Sequence, residues 1–90
     1  MPSDPRIVYA VRLRTLRDKK TGDDVPVYLA AHGLHCDKTT MPRRALLGPK
    51  REAERELSIV RNSHAPWWRR QRTDSTAAVV AFELREVGDA

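Results

Sequence analysis

Apolar and polar positions alternate along this chain in two rhythms, and the rhythms divide it into elements. Ile7 to Leu16 has a period of two. Ile7, Tyr9, Val11 and Leu13 point one way, while Val8, Ala10, Arg12 and Arg14 point the other. That predicts a strand with its odd positions toward a core. Val25 to Ala31 repeats the rhythm, with Val27 and Leu29 inward and Tyr28 and Ala30 outward. The charged stretch between them, Arg17 to Asp24, reads as a turn in which Gly22 can supply a positive φ. The two strands should form a hairpin. Pro26 cannot donate a ladder hydrogen bond, which places the second strand at a sheet edge.

Pro49 to Ser63 keeps a helical period. Ala53, Leu57 and Val60 fall at i, i+4 and i+7, and Ile59 widens the stripe. The other face carries Lys50, Arg51, Glu52, Glu54, Arg55, Glu56 and Arg61. Pro49 suits a first turn, three glutamates lie early and Arg61 late, and Asn62-Ser63 marks the end. So short a helix is held by packing rather than by its own propensity. Ala77 to Val87 returns to the period of two, with Ala78, Val80, Phe82 and Leu84 on the core side and Val79, Ala81, Glu83 and Arg85 on the other.

The predicted fold is a single α+β domain over residues 1–90, of order β-β-α-β. A three-stranded antiparallel sheet, spatial order 2-1-3, carries one helix across one face. Residues 1–6 and 88–90 are expected to be mobile ends. His32 to Gly48 has no clear period, and Ala45-Leu46-Leu47 fits a short strand or a helical turn equally well. A connection that long inside a small domain either carries function or hides an element.

This architecture leaves one sheet face open. It would display Val8, Ala10, Tyr28, Ala30, Val79 and Ala81, with Arg12, Arg14, Glu83 and Arg85 toward one end. Its middle is too apolar for open solvent, since the bare face of an antiparallel sheet is normally polar. The long connection, a second copy of the chain or a foreign partner would have to cover it.

Composition narrows the function classes. Ninety residues suit one domain with a modest core, and the net charge of +5 permits attraction to nucleic acid or an acidic partner. Cys36 is the only cysteine, which removes any intramolecular disulfide and fits a reducing compartment. No apolar run approaches the roughly 20 residues of a membrane span. The first residues show no basic region followed by an apolar stretch, so no signal peptide is expected and the cytoplasm is the expected location.

The most suggestive local chemistry is Pro66-Trp67-Trp68-Arg69-Arg70-Gln71-Arg72. Indole rings stack on unpaired bases, and guanidinium groups neutralise phosphates. Arg12, Arg14, Lys19 and Lys20 could extend such a surface. The competing structural reading closes the end of the core with one Trp, leaving the other at the surface with an arginine over its face. A protein partner is a third use. No helix-turn-helix, zinc-finger or RNP signature accompanies the run. His32, His35, Cys36 and Asp37, with His64, could ligate a metal, but one H-x-x-H-C cluster without a second does not make a zinc pattern. No phosphate-binding loop, dinucleotide fingerprint, carboxylate pair or activated Cys–His pair stands out, so neither catalysis nor a cofactor is expected.

Arg12-Leu13-Arg14, the Lys20-Thr21-Gly22 turn, Tyr28-Leu29 before Gly33-Leu34, and Lys50-Arg51-Glu52-Ala53-Glu54 together resemble small orphan accessory proteins of bacteriophages and prophages, over residues 11–60. The resemblance implies an accessory factor that binds nucleic acid or a host protein, sometimes to inhibit host defence. It implies no catalytic residues, and the Trp67-Trp68 run lies outside it. The expected function is a non-enzymatic module that contacts nucleic acid through Trp67, Trp68, Arg69, Arg70 and Arg72. The alternative is a protein-interaction module, either homodimeric or directed at a host protein, that uses the open sheet face.

Overall fold

The strand Ile7–Arg17 (β1) is the spine of the molecule, because it is flanked on both sides. The computed structural model describes residues 7–32 and 35–83, with backbone alone at 31–32 and 35–36. The expected arm at residues 1–6, the role of Gly33, the continuation of the last strand through Leu84 to Val87, and the tail lie outside the described residues. The elements after β1 are Asp24–His32 (β2), His35–Thr39 (β3), a 3-10 turn at Pro42–Arg44, the helix Lys50–Arg61 (α1), a second 3-10 turn at Trp67–Arg69, and Ala78–Glu83 (β4).

The class is α+β with an antiparallel sheet, but the sheet has four strands in the order β3-β2-β1-β4. The additional strand, β3, lies inside the long connection after His32. It pairs with β2 from Tyr28↔Thr39 to His32↔His35. β2 is therefore an inner strand, which corrects its placement at an edge. Pro26 still sits where no neighbour needs its missing N–H on that side, because the β3 pairing begins only at Tyr28.

Two local features shape β1. Gly22 adopts φ 76° in the turn before β2, where a side chain would be strained. Between Arg12↔Tyr28 and Arg14↔Val27, β1 advances two residues while β2 advances one, which is a bulge. Beyond Arg12 the two strands no longer pair, and Leu46–Gly48 fills the gap. Leu46 N–H donates to the Leu29 carbonyl at 2.9 Å, while Gly48 and Tyr9 exchange both of their backbone hydrogen bonds. Ala45-Leu46-Leu47 is thus neither a helical turn nor a full strand. It is an extended stitch.

The helix packs as its stripe predicts. Ala53 and Val60 join Val11, Leu13, Val27 and Leu29 in one buried cluster, with Tyr9, Leu57 and Val79 at its border. Pro49 stands at the N-cap rather than in the first turn, and Asn62 caps the C-terminus. On the opposite sheet face, Ala10, Tyr28 and Ala45 form a second cluster bordered by Leu47, Val80 and Phe82. Tyr28 and Phe82 meet edge to face at 5.5 Å. Val80 and Phe82 therefore lie on the face away from the helix and Val79 on the helix side, which inverts the facing read from the sequence. The pairing Val11↔Val79 imposes this, since cross-strand partners share a face.

Candidate tryptophan and arginine surface

The Trp67–Arg69 turn begins after Pro66, whose carbonyl accepts from the N–H groups of Arg69 at 2.8 Å and Arg70 at 3.2 Å. Three arginine contacts fix the turn. Arg69 Nη2 reaches Glu56 Oε2 on α1 at 2.6 Å, both side chains being largely buried. Arg70 Nε donates to the Ala65 carbonyl at 2.6 Å, and Arg70 Nη2 donates to the Ser63 carbonyl. These bonds tie the turn to the end of α1 and leave the two indoles in different surroundings. Trp68 is about one-third exposed, lines a groove with Ile59, Ala65 and Pro66, and has the Arg69 guanidinium 5.9 Å from its ring centroid. Trp67 is 79% exposed. Among the described residues neither indole joins a buried core cluster, so the structural reading in which one Trp closes the end of the core is not met, and the arginine lies by the less exposed ring.

The remaining arginines proposed for this surface have other duties. Arg14 is only 6% exposed, and its Nη1 donates to the Arg72 carbonyl at 2.7 Å. Its outward placement was read from simple alternation. The bulge sets it opposite Val27, on the side of the helix cluster. Arg12 Nε donates to the Thr76 carbonyl at 2.8 Å, so it too is a fastener for the chain between the 3-10 turn and β4. Arg72 keeps an exposed side chain. Lys19 and Lys20 are exposed in the β1–β2 turn, beyond the Arg17↔Asp24 pair. The Trp67 turn instead contacts β3, which pairs with the opposite end of β2. The two lysines are therefore not gathered with the tryptophans.

The same chain segment carries a group that sequence reading missed. Asp74 accepts from Thr76 N–H at 2.7 Å, Thr76 Oγ1 at 2.5 Å and Thr15 N–H at 3.2 Å. The Thr76 hydroxyl and N–H, then the Thr15 N–H and the Arg14 charge, hold its carboxyl below the usual carboxylate range. The signal in the sequence was the local Asp-Ser-Thr pattern, in which a carboxylate can cap the backbone two residues on. Its long-range bond to β1 has no local signature.

The open sheet face is not the surface expected for a partner. Ala10, Tyr28 and Ala30 are buried within the chain, and Val79 faces the helix. Val8 is half-buried, and Ala81 is exposed at the β4 edge opposite Tyr9. The side chains of His32, His35 and Cys36 lie outside the described residues. Among the described residues no three His, Cys, Asp or Glu side chains gather as metal ligands, and no helix is long and apolar enough to cross a membrane. Compared with protein-family models, curated proteins and solved structures, the chain matches none.

Proposed function

We propose that this chain is a non-enzymatic accessory module that binds single-stranded or unpaired nucleic acid through Trp67. The observation that carries the reading is the exposure of Trp67, at 79%, on a turn braced by the Arg69–Glu56 pair and the Arg70 bonds. A large apolar ring held open to solvent loses little conformational freedom when a base stacks on it. Arg72, further along the same segment, makes no brace through its side chain among the described residues, and that exposed side chain supplies positive charge for the phosphates. Arg69 and Arg70 brace the turn, and Arg12 and Arg14 fasten the following segment, so these four hold the fold rather than touch the ligand. The resemblance to phage and prophage accessory proteins is compatible with this class.

The test is fluorescence anisotropy of a labelled single-stranded oligonucleotide, with its duplex in parallel. Trp67→Ala should weaken single-strand binding by about 5- to 150-fold, the range for one base–aromatic stack. Arg72→Gln should lower the salt dependence of binding. Equal binding by wild type and Trp67→Ala would remove the assignment.

A further inference from the structure

The two edges of the sheet differ. β3 carries Asp37 and Lys38 along its length, and the Trp67 turn lies against it. β4 is AVVAFE, with no proline, lysine or bulge, and among the described residues nothing pairs with its outer side.

The hydrogen bonds of Tyr9 show which groups that edge offers. Tyr9 directs both its N–H and its carbonyl to Gly48, away from β4. Its pairing with Ala81 is therefore of the non-hydrogen-bonded kind, and so are Val11↔Val79 and Ile7↔Glu83. The N–H and carbonyl groups of Val79, Ala81 and Glu83 consequently point outward.

The flank of α1 above this edge is self-complementary. Arg61 Nη2 bonds the Ala77 carbonyl at 2.9 Å, which places the stripe Glu54, Leu57, Ser58 and Arg61 on the β4 side of the helix. About a two-fold axis between residues 57 and 58, Glu54 meets Arg61 and Leu57 meets Ser58. α1 begins just after Gly48, which is bonded at the level of Tyr9 and Ala81, and ends at Ala77. The point between residues 57 and 58, about two-thirds of the way along α1, therefore stands within about two residues of Val80 along β4.

We infer that the partner at this edge is a second copy of the chain. The β4 strands pair antiparallel about Val80, joining two four-stranded sheets into one of eight. Val79 of each copy pairs with Ala81 of the other through the outward groups, and Val80 faces Val80 on the side away from the helices. The helices lie on one side of the joined sheet. With strands about 4.8 Å apart and each helix over β1 and β4, the two axes run about 10 Å apart, a normal packing distance. Glu54 of one copy then pairs with Arg61 of the other, at both ends of the helix contact.

Sedimentation velocity from 1 to roughly 100 µM tests this, alongside cysteine cross-linking. The wild type should form dimers over that range, and Glu54→Arg should weaken dimerisation at least about tenfold by setting arginine against Arg61, with an unchanged circular dichroism spectrum. A Val80→Cys variant in a Cys36→Ser background should oxidise to a disulfide dimer, because Cα atoms at a non-hydrogen-bonded pair lie about 4.5 Å apart. Ala81→Cys in the same background, displaced from the axis, should cross-link far more slowly. A wild type that stays monomeric at the top concentration, or a Val80→Cys variant that stays monomeric on oxidation, overturns the inference.

Discussion

Replacing Arg14 with glutamine separates the observed strand from an uninterrupted one. In an uninterrupted strand Arg14 would project from the open face, its loss would leave stability unchanged, and any effect would fall on binding. In the bulged strand it is 6% exposed and bonded at 2.7 Å to the Arg72 carbonyl. A hydrogen bond to a charged donor contributes about 1.5–3 kcal/mol, and the truncated side chain also leaves that carbonyl short of a partner. We expect a loss of about 2 kcal/mol, a large share of the 5–15 kcal/mol typical of whole domains. For a chain this size that lowers Tm by about 10 °C. Urea unfolding followed by circular dichroism reads the change as a lower midpoint with an unchanged slope. Oligonucleotide affinity, measured where the variant is fully folded, should stay within about twofold. A variant of wild-type stability that binds poorly would refute the bulge assignment and return Arg14 to the ligand surface.

Three further outcomes follow from the same packing. Leu29→Ala, at a position buried among Val11, Leu13 and Val60, should cost about 2–5 kcal/mol by urea titration. Trp67→Ala should change Tm by no more than a degree or two, since the ring is mostly in solvent. A large drop would show that it packs. Asp74 has a folded pKa below its unfolded value of about 3.8, so its contribution is present above that value and is lost as pH falls through the depressed one. Asp74→Asn should therefore be less stable than wild type near neutral pH, and the gap should close on acidification below pH about 4. A gap that persists at low pH would assign the loss to shape rather than charge.

The helix and the first hairpin were legible because each has one apolar parity. Ala53, Leu57 and Val60 admit one helix face, and Val27 and Leu29 one strand face. β4 was not legible in the same way. Ala77 to Phe82 is apolar at every position, so its alternation has no sign, and the facing came from pairing with β1. β3 reads His-Cys-Asp-Lys-Thr, with nothing to suggest a strand. It exists because β2 offers it a row of backbone partners. The bulge was hidden because Arg12-Leu13-Arg14 alternates well by itself, and only the register against β2 exposes the extra residue. For the surface, the Trp67-Trp68-Arg run was visible as a cluster. Which arginines brace it and which face outward depended on carbonyls at Ala65, Arg72 and Thr76, which no side-chain pattern encodes.

The stitch at Leu46–Gly48 gives the two halves of β1 different histories during folding. The half after the bulge meets β2 across a short turn, so it can zip as soon as that turn forms. The half before it finds its neighbours roughly 40 residues away at Gly48 and roughly 70 away at Ala81. Those closures bring the helix with them, because α1 begins two residues after Gly48. Folding should then proceed in two movements within one strand, with amide protection at Leu16 and Val25 developing ahead of that at Tyr9 and Gly48. The slow event is the capture of a distant chain by a strand that is already half built.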